Sequence, residues 1–256
     1  MIINTGMRTD IPAFYHEWLI NRIKEGFVLV RNPYNPSQVT RYSLSYEVVD
    51  LIAFCTKNPA PMLPYMDVLK PYGQYWFVTI TPYGKDIEPN VPDKQKVMED
   101  FKKLSDIVGV DSVGWRYDPI FVDDKHSVDW HITQFEQMAA MLSGYTKTCV
   151  ISFIDIYKKV ERNFPEAREV IKKDRLTIGK AFIECACLLE TDIGAYDTCG
   201  HLCRYCYANT NAALVKENVK NHDPKSPFLI GNSQPGDVIH EAKQKSWLDL
   251  QMRLEI

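Results

Sequence analysis

Leu51-Ile52-Ala53-Phe54-Cys55 runs without a polar break and stops at Thr56-Lys57-Asn58-Pro59. An apolar run this short, with no polar alternation, predicts a strand buried on both faces, as parallel sheets require. Its polar ending places Thr56 and Lys57 at the strand's C-terminal end. The same unit recurs downstream. A helix is expected over Met62–Leu69, and a strand over Tyr75–Ile80 that ends at Thr81-Pro82-Tyr83-Gly84. A helix over Lys94–Ile107 leads to a strand over Ser112–Trp115, ending at Arg116-Tyr117-Asp118-Pro119. A helix over Val128–Leu142 precedes a strand over Cys149–Phe153, ending at Asp155, and a helix fills Arg168–Phe182.

Upstream, Met1–Asn4 reads as a strand, followed by the loop Arg8-Thr9-Asp10-Ile11-Pro12 and a helix over Phe14–Ile23. Phe27–Val30 and Gln38–Ser43 predict a hairpin around Asn32-Pro33-Tyr34-Asn35-Pro36, inserted into the regular alternation. Strands separated by helices of this length imply an α/β fold of parallel β/α units, and their number favours a barrel or partial barrel. In such folds sites form at the C-terminal ends of the strands. Arg8, Asp10, Thr56, Lys57, Thr79, Thr81, Arg116, Asp118 and Asp155 all fall there, and at least half of them are expected to line one cavity.

The chain of 256 residues can bury one substantial core. Its hydrophobic content of 45% and charged content of 25% are those of a soluble globular protein. The formal charge of -3 gives no electrostatic support for nucleic-acid binding. No charged-then-apolar leader and no apolar span of membrane length is present, so no membrane role is expected and the protein reads as cytoplasmic. Seven cysteines, five of them between positions 185 and 206, argue against a disulfide framework.

Cys199-Gly200-His201-Leu202-Cys203-Arg204-Tyr205-Cys206 carries three cysteines in C-x3-C-x2-C spacing. Three thiolates on one loop can hold three corners of an iron–sulfur cube and leave the fourth iron open to a ligand. A zinc site built with His201 or the Cys185-Ala186-Cys187 pair, and unligated buried thiols, are the competing readings. His201 reads as a hydrogen-bonding partner of the loop rather than a fourth ligand. Cys55 and Cys149 fall in strands and read as core. Beyond the motif, helices are expected over Asn211–Val219 and Asp237–Trp247, with Lys243 and Lys245 on a solvated face.

Around this motif the run from Cys199 to Asn209 resembles the radical S-adenosylmethionine enzymes, in their photolyase-like branch. With RTDIPAFY (Arg8–Tyr15), FCTKNPAPML (Phe54–Leu63), VTITPYGKDIEPNVP (Val78–Pro92), GWRYDPI (Gly114–Ile120) and DIGAYDTCGHLCRYCYAN (Asp192–Asn209), nearly the whole chain resembles a bacterial domain-of-unknown-function family with a C-terminal radical-SAM-like cysteine cluster. More distantly it is similar to DNA-repair photolyase-like proteins related to spore photoproduct lyase, in which the cysteine loop comes early. The resemblance implies a circularly permuted partial (β/α) barrel of about six parallel strands. The strand before Cys199 would then lie beside Met1–Asn4.

It further implies a [4Fe–4S] cluster on Cys199, Cys203 and Cys206, and S-adenosyl-L-methionine on the open iron. Tyr205 would contact the adenine, and Lys57 or Arg116 the methionine carboxylate. Thr79 and Thr81 would meet ribose hydroxyls, while Arg8 and Asp10 would meet substrate or brace each other. Cys185 and Cys187 have three readings: a second metal site, donation of a hydrogen atom, or packing. The implied partners are a reducing electron donor of flavodoxin or ferredoxin type and a small-molecule or unknown substrate, with a lyase- or repair-like reaction as the distant resemblance suggests. Residues 1–184 would form the partial barrel and 185–256 the cluster loop and C-terminal helices, packed as one domain. Ile183-Glu184-Cys185 joins the two directly where the family leads one to expect a further strand. A shortened, inactive homologue and a non-catalytic metal-binding protein are therefore the alternatives.

Overall fold

The computed structural model describes residues 1–168, 170–171, 173–175 and 190–248. The strands are β1 (Ile2–Asn4), β2 (Phe27–Arg31), β3 (Gln38–Ser43), β4 (Leu51–Thr56), β5 (Gly73–Thr79), β6 (Val113–Ile120), β7 (Cys149–Phe153), β8 (Thr191–Asp192) and β9 (Val238–Glu241). Six of them form one parallel sheet in the order β7-β6-β5-β4-β1-β8. The strand that precedes the cysteine loop therefore does lie beside the first strand of the chain, with Ile3 opposite Thr191 and Asn4 opposite Asp192.

The apolar run Leu51–Cys55 sits near the middle of this sheet, where both faces are covered. Its Phe54 stacks on Trp76 of β5 with ring centroids 3.8 Å apart. The covering helices are α1 (Ile11–Phe14), α2 (His16–Glu25), α3 (Met66–Leu69, after a 3-10 turn over Ala60–Tyr65), α4 (Lys94–Val108), α5 (Val128–Leu142) and α6 (Lys158–Asn163). On α4, Val97, Phe101 and Leu104 recur at helical spacing and are buried against the sheet. The expected helix over Arg168–Phe182 falls mostly outside the described residues.

The α/β class and the count of about six parallel strands are as expected. Among the described residues these strands form an open sheet, with β7 and β8 at its two edges and no strand joining them, so no closed barrel forms. One expectation is corrected here. The expected helix over Asp237–Trp247 is instead β9, which pairs in parallel with β3 of the β2–β3 hairpin. Pro235-Gly236 makes a turn, with Gly236 at φ 92°, rather than opening a helix. The Asp237 carboxylate accepts from Arg31 and Gln234, so it caps no helix, and the β-branched Val238-Ile239 continues extended. The other C-terminal helix forms as expected: α7 (Ala212–Lys220), capped by Asn211. No helix among the described residues is long and apolar enough to cross a membrane.

Candidate functional site

At the C-terminal ends of the parallel strands lies a cavity of about 480 Å³. Of the nine polar strand-end residues singled out in the sequence, eight line it: Arg8, Asp10, Thr56, Lys57, Thr79, Arg116, Asp118 and Asp155. Parallel strands bring this about, since every strand delivers its last residues to the same edge. The opposite wall is the loop after β8, which contributes Cys199, His201, Cys203, Tyr205 and Cys206.

That loop is held from several sides. Thr198 O accepts from the Tyr15 hydroxyl at 2.7 Å, and Asn209 Nδ2 donates to Cys199 O at 2.8 Å. Leu202 adopts a left-handed conformation at φ 56°, which bends the chain between the first two cysteines. The segment after β5 clamps the loop's other flank. Arg204 N donates to Ile87 O at 3.0 Å, Asn90 N to His201 O at 3.2 Å, and Asn90 Nδ2 to Gly200 O at 2.8 Å.

Cys199, Cys203 and Cys206 carry free thiols. Burial raises all three, and neighbouring cysteine sulfurs add to it for Cys199 and Cys203; Cys203 reaches about 12 although Lys57 pulls it down. Thiols so raised stay protonated near neutrality unless a cation takes the proton's place. Among the described residues no three Cys, His, Asp or Glu side chains converge on a single metal ion. Cys185 and Cys187 lie outside the described residues. Cys55, expected in the core, reaches the cavity instead, where Asn4 Nδ2 approaches its sulfur at 3.8 Å. It is the penultimate residue of β4, near enough to the strand's end to face the opening. Cys149 packs against the main core as expected.

Arg8 and Asp10 do not brace each other. Arg8 pairs with Asp192 on β8, joining the loop after β1 to the strand that precedes the cysteines. Asp10 accepts from the backbone of Ala13 at 3.0 Å and of Lys57 at 2.7 Å, and pairs with His201 Nε2 at 2.9 Å. His201 thus fastens the cysteine loop to the loops after β1 and β4, while its Nδ1 is buried with no partner among the described residues.

Joined to the cavity wall through Lys57 and Tyr205 is a residue the sequence did not single out, Glu88. It is 1% exposed, and its carboxylate accepts from Lys57 Nζ at 2.8 Å, Thr81 Oγ1 at 2.7 Å, Lys94 Nζ and the Tyr205 hydroxyl. Burial alone would raise this carboxyl, but Lys57 and Lys94 outweigh it and hold it at about 2. Burial opposes the charge on Lys57, yet Glu88 and then Cys203 raise it; on the more exposed Lys94 burial prevails.

The hub changes three expected roles. Thr81 does not line the cavity, because β5 ends at Thr79 and strand alternation no longer governs its direction. Lys57 lines the cavity, but its ammonium is engaged by Glu88 and lies 5.6 Å from the centre of the Tyr205 ring. Tyr205 is anchored through its hydroxyl, with Lys57 against its ring and Tyr83 at its edge. Arg116 lines the cavity, as does Arg8, and pairs with Asp118, which also accepts from Ser152.

The model of a family described as a domain of unknown function (DUF1848) matches residues 2–184. The chain belongs to that family. No curated protein and no solved structure matches it. The DUF1848 match spans β1 to β7, with every strand-end residue of the cavity, the Asp10 partner of His201 and the Glu88 hub. The three-cysteine loop lies beyond it and is joined to it through Asp10, Glu88, Ile87 and Asn90.

Proposed function

We propose that this protein is a radical S-adenosylmethionine enzyme of the photolyase-like kind, built on a circularly permuted partial (β/α) barrel. One observation carries the reading: three free cysteines on one loop share a cavity with the polar ends of parallel strands. The order of strands supports permutation, since the loop follows β8, which stands first if the sheet is read from that edge.

The donor set fits an iron–sulfur cluster. Cys199, Cys203 and Cys206 would hold a [4Fe–4S] cluster, whose cysteines serve different irons and need not meet at one point. Bound there with S-adenosyl-L-methionine, the cluster supplies one-electron reductive cleavage of the sulfonium. This chain's own residues bind and enclose. Arg116 offers guanidinium donors for a carboxylate, and Thr79 a hydroxyl for a ribose. Lys57 acts from behind the Tyr205 ring rather than as a carboxylate partner. Phe77, Val150 and Phe153 give the cavity an apolar side that limits water around a reactive species. The electron would come from a donor of flavodoxin or ferredoxin type, and the substrate is a small molecule that enters the same cavity.

The test is electron paramagnetic resonance of anaerobically reconstituted, reduced protein with and without S-adenosylmethionine. A [4Fe–4S] signal that changes on addition supports the reading, with loss of iron in Cys199→Ala, Cys203→Ala and Cys206→Ala. No cluster, or a signal indifferent to the addition, sinks it.

A further inference from the structure

The hub at Glu88 holds more positive charge than its one carboxylate matches. Lys57 and Lys94 both contact that carboxylate, and its other partners, Thr81 and Tyr205, are neutral hydroxyls. Among the described residues one formal positive charge is left over at this hub, beside the cysteine loop. Asp10, on the same side of the cavity, is engaged by Ala13, Lys57 backbone and His201, and Asp118 is engaged by Arg116. An unmatched charge in a buried site is costly, so such a hub is built to face an anion. The cysteine loop lies against the hub: Tyr205, between Cys203 and Cys206, donates its hydroxyl to Glu88, and the Lys57 ammonium lies 5.6 Å from the centre of its ring.

Lys94 also breaks a local rule. It opens α4 at the positive end of the helix dipole, where Asp93 caps the helix through Lys96 N and the first turn itself contains no acidic residue. There a lysine is disfavoured unless something beyond the helix holds it, and here its side chain turns back to Glu88. A broken local preference of this kind, compensated by a buried partner, marks a position kept for the site rather than for the helix.

We propose that Lys94, acting with Lys57 across Glu88, is a positioning residue that gives the cysteine loop a fixed positive charge and raises the reduction potential of the cluster held there. This rests on the loop holding an iron–sulfur cluster. A one-electron donor outside the protein supplies the electron, no protein bond changes, and the fixed charge favours the more electron-rich cluster by Coulomb attraction in a poorly screened site.

The experiment is a redox titration of the reconstituted whole chain with dithionite as reductant, followed by electron paramagnetic resonance. Wild type is compared with Lys94→Met, Lys94→Arg and Thr81→Val. The expected result is a lower potential in Lys94→Met, with Lys94→Arg and Thr81→Val both near wild type. Thr81→Val removes a hydrogen bond of the hub without changing its charge, so a merely structural role would move it together with Lys94→Met. Lys94→Gln serves as a second neutral variant if Lys94→Met does not fold. Equal potentials in wild type and the neutral variants overturn the inference and leave the cluster reading standing. A wild-type chain that takes up no cluster overturns both.

Discussion

A methyl group on Gly6 would lie 2.1 Å from the Cys55 carbonyl oxygen and 2.5 Å from its Cβ. The first contact is with backbone, which cannot swing aside as a side chain would. The chain needs this close approach because it leaves β1 across the end of β4 on its way to Arg8 and Asp10. Gly6→Ala is therefore expected to destabilise the protein by about 1–3 kcal/mol, as overpacking does. Chemical denaturation measures that loss; a stability equal to wild type would mean that the loop takes another path. The cavity should suffer along with the stability, because Gly6 lines it next to Met7 and Arg8.

At the scale of elements, the cysteine loop is bonded into place by protein groups alone. Its contacts come from Asp10 after β1, Tyr15 at the start of α2, Lys57 after β4, the segment after β5 and Asn163 of α6, so the binding shape is expected to exist before any metal arrives. Amide hydrogen exchange on the metal-free protein checks this. The Arg204 amide, bonded to Ile87 O, and the Cys206 amide, bonded to Cys203 O, should be protected. Exchange at random-coil rates would show instead that metal organises the loop. How well the sequence revealed these elements follows from the range of the forces involved. The buried strands β4, β5 and β7 announce themselves as local apolar runs, and their parallel order carries the polar ends to one edge without further information. β9 was misread because its partner β3 lies about two hundred residues away, with Gln38 opposite Val238. The β-branched Val238-Ile239 is the local sign of extension, and a four-residue strand is too short for alternation to reinforce it against the helix-start pattern of Pro235-Gly236-Asp237. Glu88 was missed for the same reason. Its partners Lys57 and Tyr205 are 31 and 117 positions distant, and between prolines 82 and 89 it reads as part of a surface turn. Lys94 did leave a local sign, a cation at a helix start.

For the molecule as a whole, His131 and Glu88 are two of the groups that set how it meets acid, and Asp50, held at about 2 by the N-terminal amine and Ser246, shares the range of Glu88. Burial lowers His131 to about 4, although its Nε2 donates to Phe121 O at 2.7 Å; its Nδ1 accepts from the Tyr117 hydroxyl at 2.9 Å. An unfolded histidine takes up its proton near pH 6.5, so the folded state loses stability as pH falls from about 6.5 to about 4. Glu88 is held at about 2 in the fold, against 4.5 for a free carboxyl. Its contribution is fully present above pH 4.5 and is lost as pH falls towards 2, again because the unfolded chain binds the proton first. The His131 and Glu88 shifts each correspond to on the order of 3 kcal/mol. The two windows follow one another, so a steady decline is expected from about pH 6.5 downwards rather than a single step. Glu88→Gln separates them. It leaves Lys57 and Lys94 repelling each other, so the variant should be less stable at pH 7. Below pH 4.5 its stability should fall less steeply, by up to about 1.4 kcal/mol per pH unit for the one proton no longer taken up. Denaturant unfolding measured between pH 7 and pH 3 reads both effects. A variant whose slope below pH 4.5 matches wild type would show that Glu88 is not a carboxylate governing acid stability, and the hub would then lose its energetic basis.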